Sequence, residues 1–342
     1  NKRNLFLSFF SVSGDFIELN SPWEPFTKSK TIDLNEGSSS LVFTQKINGK
    51  TIEKSLTFYS NSYVVDVLIN TSKVVDIISQ KNYFLSWEGG IPLTENNPQD
   101  EQTYCDGFVY QAGKPYSFVK LSKEIKKDST VWGKISGKTE WSAIRSKYFL
   151  SALIPQKSTP SVSVNLIKNK RVALFSHKIS IETSARPNKT SLYLGPLEYD
   201  RLKNLDVDIT SIMNFGWGPI RPISKGVLWL LKFLHRFIPN YGIVLVLFSI
   251  LIKIVVYPLT KKSYQSTREM QTVQPLIVKL REKHKKDPAK LNKATMELYK
   301  KHGVNPLGGC LPLLLQMPLL FALFQVFRST IELRNAPFFW WI

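Results

Sequence analysis

Lys253 is the side chain in this sequence with the most unusual chemical position. It lies within an apolar run, residues 241–259, whose other polar positions are small or aromatic. A cation held against lipid at that depth costs on the order of 3 kcal/mol on insertion scales. Ser249, Lys253, Tyr257 and Thr260 follow one another at i, i+4, i+8 and i+11, so a helix sets them on one side. Gln316 adds a polar group in a second apolar run, residues 307–327. The chemistry open to such a set is electrostatic: a water-filled groove with one cation offers a transient partner to a carboxylate. The competing reading has Lys253 snorkel to the nearest headgroups.

Covalent chemistry has no such candidate. The four histidines, His177, His235, His284 and His302, are scattered along the chain. No metal-ligand spacing, glycine-rich phosphate loop or nucleophile elbow is present. Cys105 and Cys310 lie far apart and build no disulfide framework. The expected role is non-enzymatic, with no cofactor, no metal and no small-molecule substrate.

The elements that must carry the stripe are of two kinds. Residues 1–215 read as β-rich: runs of β-branched residues alternate with turn signals, and Asn48-Gly49 marks a tight hairpin. Many short strands of this kind predict a sandwich. Residues 216–239 predict an amphipathic helix lying in a membrane interface, capped by Ser224, with Lys225, Lys232 and Arg236 on one side. Residues 240–260 and 306–329 are each long and apolar enough to span a bilayer.

Between these spans, residues 261–305 predict a basic helical hairpin. Asp287 and Pro288 open its second helix, Gly303 closes it, and Gln274-Pro275 is placed to kink or break the first. Residues 261–303 hold twelve Lys or Arg against four Asp or Glu, a net +8 within the chain's +20. Such a short basic loop belongs in the cytoplasm, which puts the β-rich domain on the opposite side, in a bacterium the periplasm. Lys279, Arg281, Lys283, Lys285 and Lys286 are candidate contacts for a ribosome or anionic lipid. A solvated loop whose charge only sets topology is the equal alternative. Residues 330–342 read as the start of a further periplasmic segment. Because the chain opens at Asn1 and closes at Ile342 directly after Trp340 and Trp341, it is expected to be an internal fragment.

Specific stretches resemble the YidC/Oxa/Alb family of membrane-protein insertases, in its bacterial branch with a large periplasmic domain. They are "NYGIVLVLFSILIKIVVYPLTKKSYQSTREMQTVQPLIVKLREKHKKD" and "LYKKHGVNPLGGCLPLLLQMPLLFALFQVFRSTIELRNAPFFWWI", with "SLYLGPLEYDRLK" before them. The resemblance implies a multidomain inner-membrane protein. Its supersandwich-like periplasmic β-sandwich would precede an α-helical transmembrane region with a cytoplasmic helical hairpin. It implies a function too: nascent membrane proteins are received in a hydrated groove and released sideways into lipid, alone or beside the Sec translocon. No nucleotide or metal takes part. The family's groove cation, usually arginine, falls on Lys253, and its polar neighbour one turn earlier on Ser249. Two other classes stay open: a channel or lipid-scrambling protein using the same stripe, and a carbohydrate-binding or carbohydrate-processing domain on a membrane anchor. The last would need His177 in a cleft beside a carboxylate.

Overall fold

The computed structural model describes residues 4–26, 31–118, 130–169, 172–285, 287–304 and 311–336. The chain divides into two compact units, one through Met213 and one from Asn214. The first is an antiparallel β-domain and the second is helical.

Strands of the first unit are β1 (Asn4–Ser11), β2 (Phe16–Glu18), β3 (Glu24–Pro25), β4 (Ser38–Ile47), β5 (Lys50–Tyr59), β6 (Val64–Asn70) and β7 (Ile78–Trp87). They continue with β8 (Asp106–Gln111), β9 (Lys114–Ser117), β10 (Thr130–Arg145), β11 (Phe149–Pro155), β12 (Thr159–Asn169), β13 (Val172–Glu182) and β14 (Asn188–Pro196). A short helix α1 (Pro98–Gln102) lies between β7 and β8, and a second, α2 (Tyr199–Lys203), follows β14. One hydrogen-bonded path runs β2-β1-β7-β13-β12-β10-β11-β14-β6-β5-β4-β3, with β8 and β9 attached beside β10.

Local chemistry explains individual joints. At Asn48-Gly49 both residues take positive φ, 49° and 79°, and Ile47 pairs directly with Lys50. That is the two-residue turn whose twist matches the flanking strands. The sixteen residues of β10 do two jobs. Thr130–Ser136 pair with β12, whereas Thr139–Arg145 pair with β8, and Ser142–Arg145 also with β11. The register slips between Ser136 and Thr139, where Gly137 takes φ +126°. One continuous strand thereby serves both halves of the path.

Those halves share one core. Leu7, Leu85, Val162 and Ile179 come from one half, and Ile52, Val67, Ile144, Leu153 and Leu192 from the other. Alternation along each strand supplies these inward faces. Arg145 is half-buried at the end of β10 and is held by main-chain oxygens: Nε donates to Tyr104 O at 3.1 Å and Nη1 donates to Ile212 O. His177 sits in the same interior, 1% exposed, with Ser142 Oγ 2.9 Å from Nδ1.

The second unit contains α3 (Ile220–Phe237), α4 (Tyr241–Lys283), α5 (Pro288–Lys301) and α6 (Leu311–Ser329). Three of its features differ from the sequence expectation. Helix α3 starts four residues before Ser224, so Ser224 is no cap but a buried residue of the first turns, its hydroxyl without a partner. Helix α4 does not stop at residue 260; it runs unbroken for 43 residues into the basic segment. Gln274-Pro275 does not interrupt it, and Pro258 is likewise accommodated. Each proline removes one backbone hydrogen bond, a loss that a helix with dozens of others survives.

Asp287 caps α5 through Lys290 N at 3.1 Å, with Pro288 at its first position. Within the unit, Val227, Leu228 and Leu231 of α3 are buried, as are Val244 and Phe248 of α4 and Ala322 and Val326 of α6.

His177 generates a prediction. Burial lowers its pKa from 6.5 to about 3. Above pH 6.5 neither the folded nor the unfolded chain protonates it. Between pH 6.5 and 3 only the unfolded chain does, so stability falls with falling pH by roughly 1.4 kcal/mol per unit, about 3 kcal/mol at pH 4.5. Urea denaturation of the wild type and of His177→Gln across this window should show a shallower slope in the variant. An equal slope in both would remove His177 as the cause.

Candidate functional site

The stripe forms on α4. Ser249, Lys253 and Tyr257 are exposed and Thr260 is half-buried. At 1.5 Å rise per residue the four extend over about 16 Å of helix. Ser249 Oγ donates to Leu245 O at 2.8 Å, and Thr260 Oγ1 donates to Val256 O at 3.0 Å. Both hydroxyls therefore spend their proton on their own helix, the usual resort of Ser and Thr in an apolar helix. Their lone pairs still face outward as acceptors.

Lys253 differs. Among the described residues it has no ion-pair or hydrogen-bond partner, while Ile250, Ile254 and Val255 around it are exposed. Gln316, on α6, is exposed as well. Among the described residues no hydrogen bond joins Gln316 to the stripe. The structure thus brings Ser249, Lys253, Tyr257 and Thr260 to one helix side and leaves Gln316 on a separate helix.

The surroundings of the stripe are apolar and exposed. Tyr241–Pro258 is, among the described residues, the one segment long and apolar enough to cross a membrane, and only 17% of it is buried within the protein. A core helix of a water-soluble protein would be mostly buried. The second apolar segment expected at 306–329 is helical from Leu311 to Ser329, and its residues 306–310 lie outside the described ones. Lys279, Arg281, Lys283 and Lys285 are exposed at the end of α4 and just beyond; Lys286 lies outside the described residues.

What the sequence reading missed is the third face of α3. Ser224, Val227 and Leu231 turn inward, Lys225 and Arg236 stand on a flank, and Trp229, Phe233 and Phe237 stand exposed on the side roughly opposite the buried one. Trp229 and Phe233 stack at 5.5 Å, and Phe233 meets Phe237 edge-on at 5.2 Å. Their i, i+4, i+8 spacing was the available signal. Helix α3 is fastened at both ends of its C-terminal half. Lys232 pairs with Glu332, both largely buried. The His235 ring lies flat on Tyr241, 3.8 Å between centroids, across the turn into α4. Asn240 Oδ1 caps α4 by accepting from Ile243 N at 3.2 Å.

No metal chemistry is built here: among the described residues no His, Cys, Asp and Glu group could hold an ion. His177 is no acid–base candidate, since it is sealed in the β-core against Ser142 and meets no carboxylate among the described residues.

Comparison with known proteins follows the same division. The family model for the YidC periplasmic domain matches residues 10–230, and that for the 60Kd inner membrane protein matches residues 233–342. The chain is 40% identical over 299 residues to the membrane protein insertase YidC of Chlorobium luteolum, covering 85% of this chain and 50% of that protein. It is 35% identical over 352 aligned positions to that of Chlorobaculum tepidum, covering 99% of this chain and 59% of that protein. The chain thus spans about half the length of the curated relatives it matches. Among solved structures, an α-galactosidase from Lactobacillus brevis overlaps at 9% identity and a TM-score of 0.31, covering 59% of this chain and 30% of that one. That likeness is too slight to carry an inference.

The Lys232–Glu332 pair is testable by unfolding detergent-solubilised protein with increasing SDS. Glu332→Gln should destabilise the helical unit by about 1–2 kcal/mol, since it removes the carboxylate paired with a largely buried ammonium, and Lys232→Leu combined with Glu332→Leu should recover most of the loss. Wild-type resistance in the single variant would show that the pair adds nothing.

Proposed function

The chain belongs to the YidC family of membrane protein insertases, and on that premise we propose that it receives nascent membrane segments along the Ser249–Lys253–Tyr257–Thr260 side of α4. The observation that carries this reading is the cation itself. An exposed lysine without a partner among the described residues, on an otherwise apolar helix, requires water or an incoming anion at its ammonium.

A hydrated groove meets that requirement and shortens the hydrocarbon path a polar tail must cross. Lys253 then offers a carboxylate a passing partner. The hydroxyls of Ser249 and Thr260, whose protons are already committed, accept from water or from an amide of the client. The apolar part of the client leaves sideways into lipid, driven by its own transfer free energy. No bond is made or broken in the client.

The same reading places the β-domain, in the sandwich arrangement, in the periplasm. It lays α3 in the interface, with Trp229, Phe233 and Phe237 at headgroup level. It assigns 306–329 as a second span with Gln316 facing the groove. The basic end of α4 and helix α5 form the cytoplasmic hairpin, where Lys279, Arg281, Lys283, Lys285 and Lys286 meet anionic lipid or a ribosome. The Sec translocon is a co-operating partner on this reading, and no nucleotide or metal is required.

Thiol labelling at Lys253→Cys in the full-length protein, in native membranes and without the other cysteines, tests the groove. Labelling by an impermeant reagent from the cytoplasmic side alone supports it. Labelling from both sides points to a channel, and labelling from neither removes the water. Function is tested by charge: Lys253→Arg should insert clients with acidic tails at nearly the wild-type rate, and Lys253→Glu at a tenth of it or less. Equal insertion by both variants at matched expression would end the electrostatic role.

A further inference from the structure

The β-domain holds a groove remote in sequence from the stripe. We propose that it is a binding site for an acidic peptide segment. The groove encloses about 700 Å³ and is lined by Gly137, Lys138, Lys157, Thr159, Glu182 and Asn188, among others. That volume is ordinary for a ligand site.

The fold makes the groove at the point where β10 changes partners. The slipped residues of β10, the start of β12, the end of β13 and the start of β14 converge there. Gly137 holds φ +126°, a backbone conformation that a side chain disfavours. Gln111 pins this bulge, Nε2 donating to Gly137 O at 3.2 Å and to Thr139 Oγ1 at 2.6 Å. The opening is therefore a fixed feature of the sheet.

Its lining sets the chemistry. Lys138 and Lys157 are exposed and, among the described residues, have no ion-pair partner. Glu182 is the single carboxylate, so the groove carries a net positive charge. Asn188 Nδ2 donates to Glu182 O at 2.8 Å, fixing that wall. Thr159, 3% exposed, has a hydroxyl without a partner.

Among the described residues no aromatic ring lines the groove, so none of them stacks on a sugar or a base. Among the described lining residues there is no arginine either, and so no planar fork suited to bidentate phosphate recognition. Two point charges on flexible stems, in an open groove between strand ends, fit carboxylates at variable spacing along an extended chain. Recognition of this kind is weakened by salt. This site is independent of the role given to Lys253.

The test uses the full chain with Cys105→Ser and Cys310→Ser, and a benzophenone carried on Ser158→Cys at the groove. The probe is a labelled ten-residue peptide with four Asp or Glu. A local cross-link keeps binding at the basic hairpin out of the readout. Cross-linking to the wild-type groove, reduced about tenfold by Lys138→Gln with Lys157→Gln, and unchanged by Lys46→Gln with Lys203→Gln, is the expected result. Three results overturn the proposal: no cross-link, equal loss in both double variants, or displacement of the peptide by a neutral oligosaccharide. Circular dichroism of both double variants confirms the fold, and insertion assays stay separate, so failure here leaves the insertase reading untouched.

Discussion

A charge set among apolar groups must be answered by something, and this protein treats two of its cations differently. Arg145 lies inside the β-domain and is answered by the carbonyl oxygens of Tyr104 and Ile212. Those fixed dipoles replace water and bind the end of the unit to the sheet. Lys253 has no such answer among the described residues. Its helix instead keeps Ser249 and Thr260 self-satisfied, so neither hydroxyl demands a fixed neighbour. The first cation is held by fixed main-chain partners, and the second meets none among the described residues.

The two units follow from different solvents. The β-domain shields its backbone with a ladder that runs across both halves of one folded sheet, joined through β10. Its side chains alternate, apolar inward, as water on the outer faces requires. The helical unit leaves Ile254, Val255, Leu314, Leu320 and Phe324 uncovered. Such exposure would be costly in water and costs nothing against hydrocarbon. Helix α3 carries one buried face, one cationic flank and one exposed aromatic face.

Much of this was legible in the sequence, and the failures are instructive. The Asn48-Gly49 hairpin, the Asp287-Pro288 helix start and the common side of Ser249, Lys253, Tyr257 and Thr260 rest on local rules that neighbours rarely override. Ser224 misled because a cap residue and a small buried residue look alike in sequence; packing made it the second. Gln274-Pro275 does not break the helix as it was placed to do, because proline is a breaker only when the remaining hydrogen bonds are few. The Lys232–Glu332 pair joins residues one hundred positions apart, and the groove at Gly137 gathers the slipped middle of β10 and the ends of three other strands. Neither leaves a periodic trace, because each exists only after the chain has folded.

The length of α4 has a mechanical meaning. Its 43 residues make a rod of about 64 Å, roughly twice the thickness of a hydrocarbon core. Lys253 and the basic tip are thirty residues apart on that rod, about 45 Å. Pivoting such a lever by 5° about Lys253 swings its far end by about 4 Å, given that span. The two prolines lie between pivot and tip, each a point where one bond of the shaft is missing and bending is cheapest. A force applied at the tip therefore has leverage on the Lys253 stripe, with the compliance of the linkage set by two pyrrolidine rings.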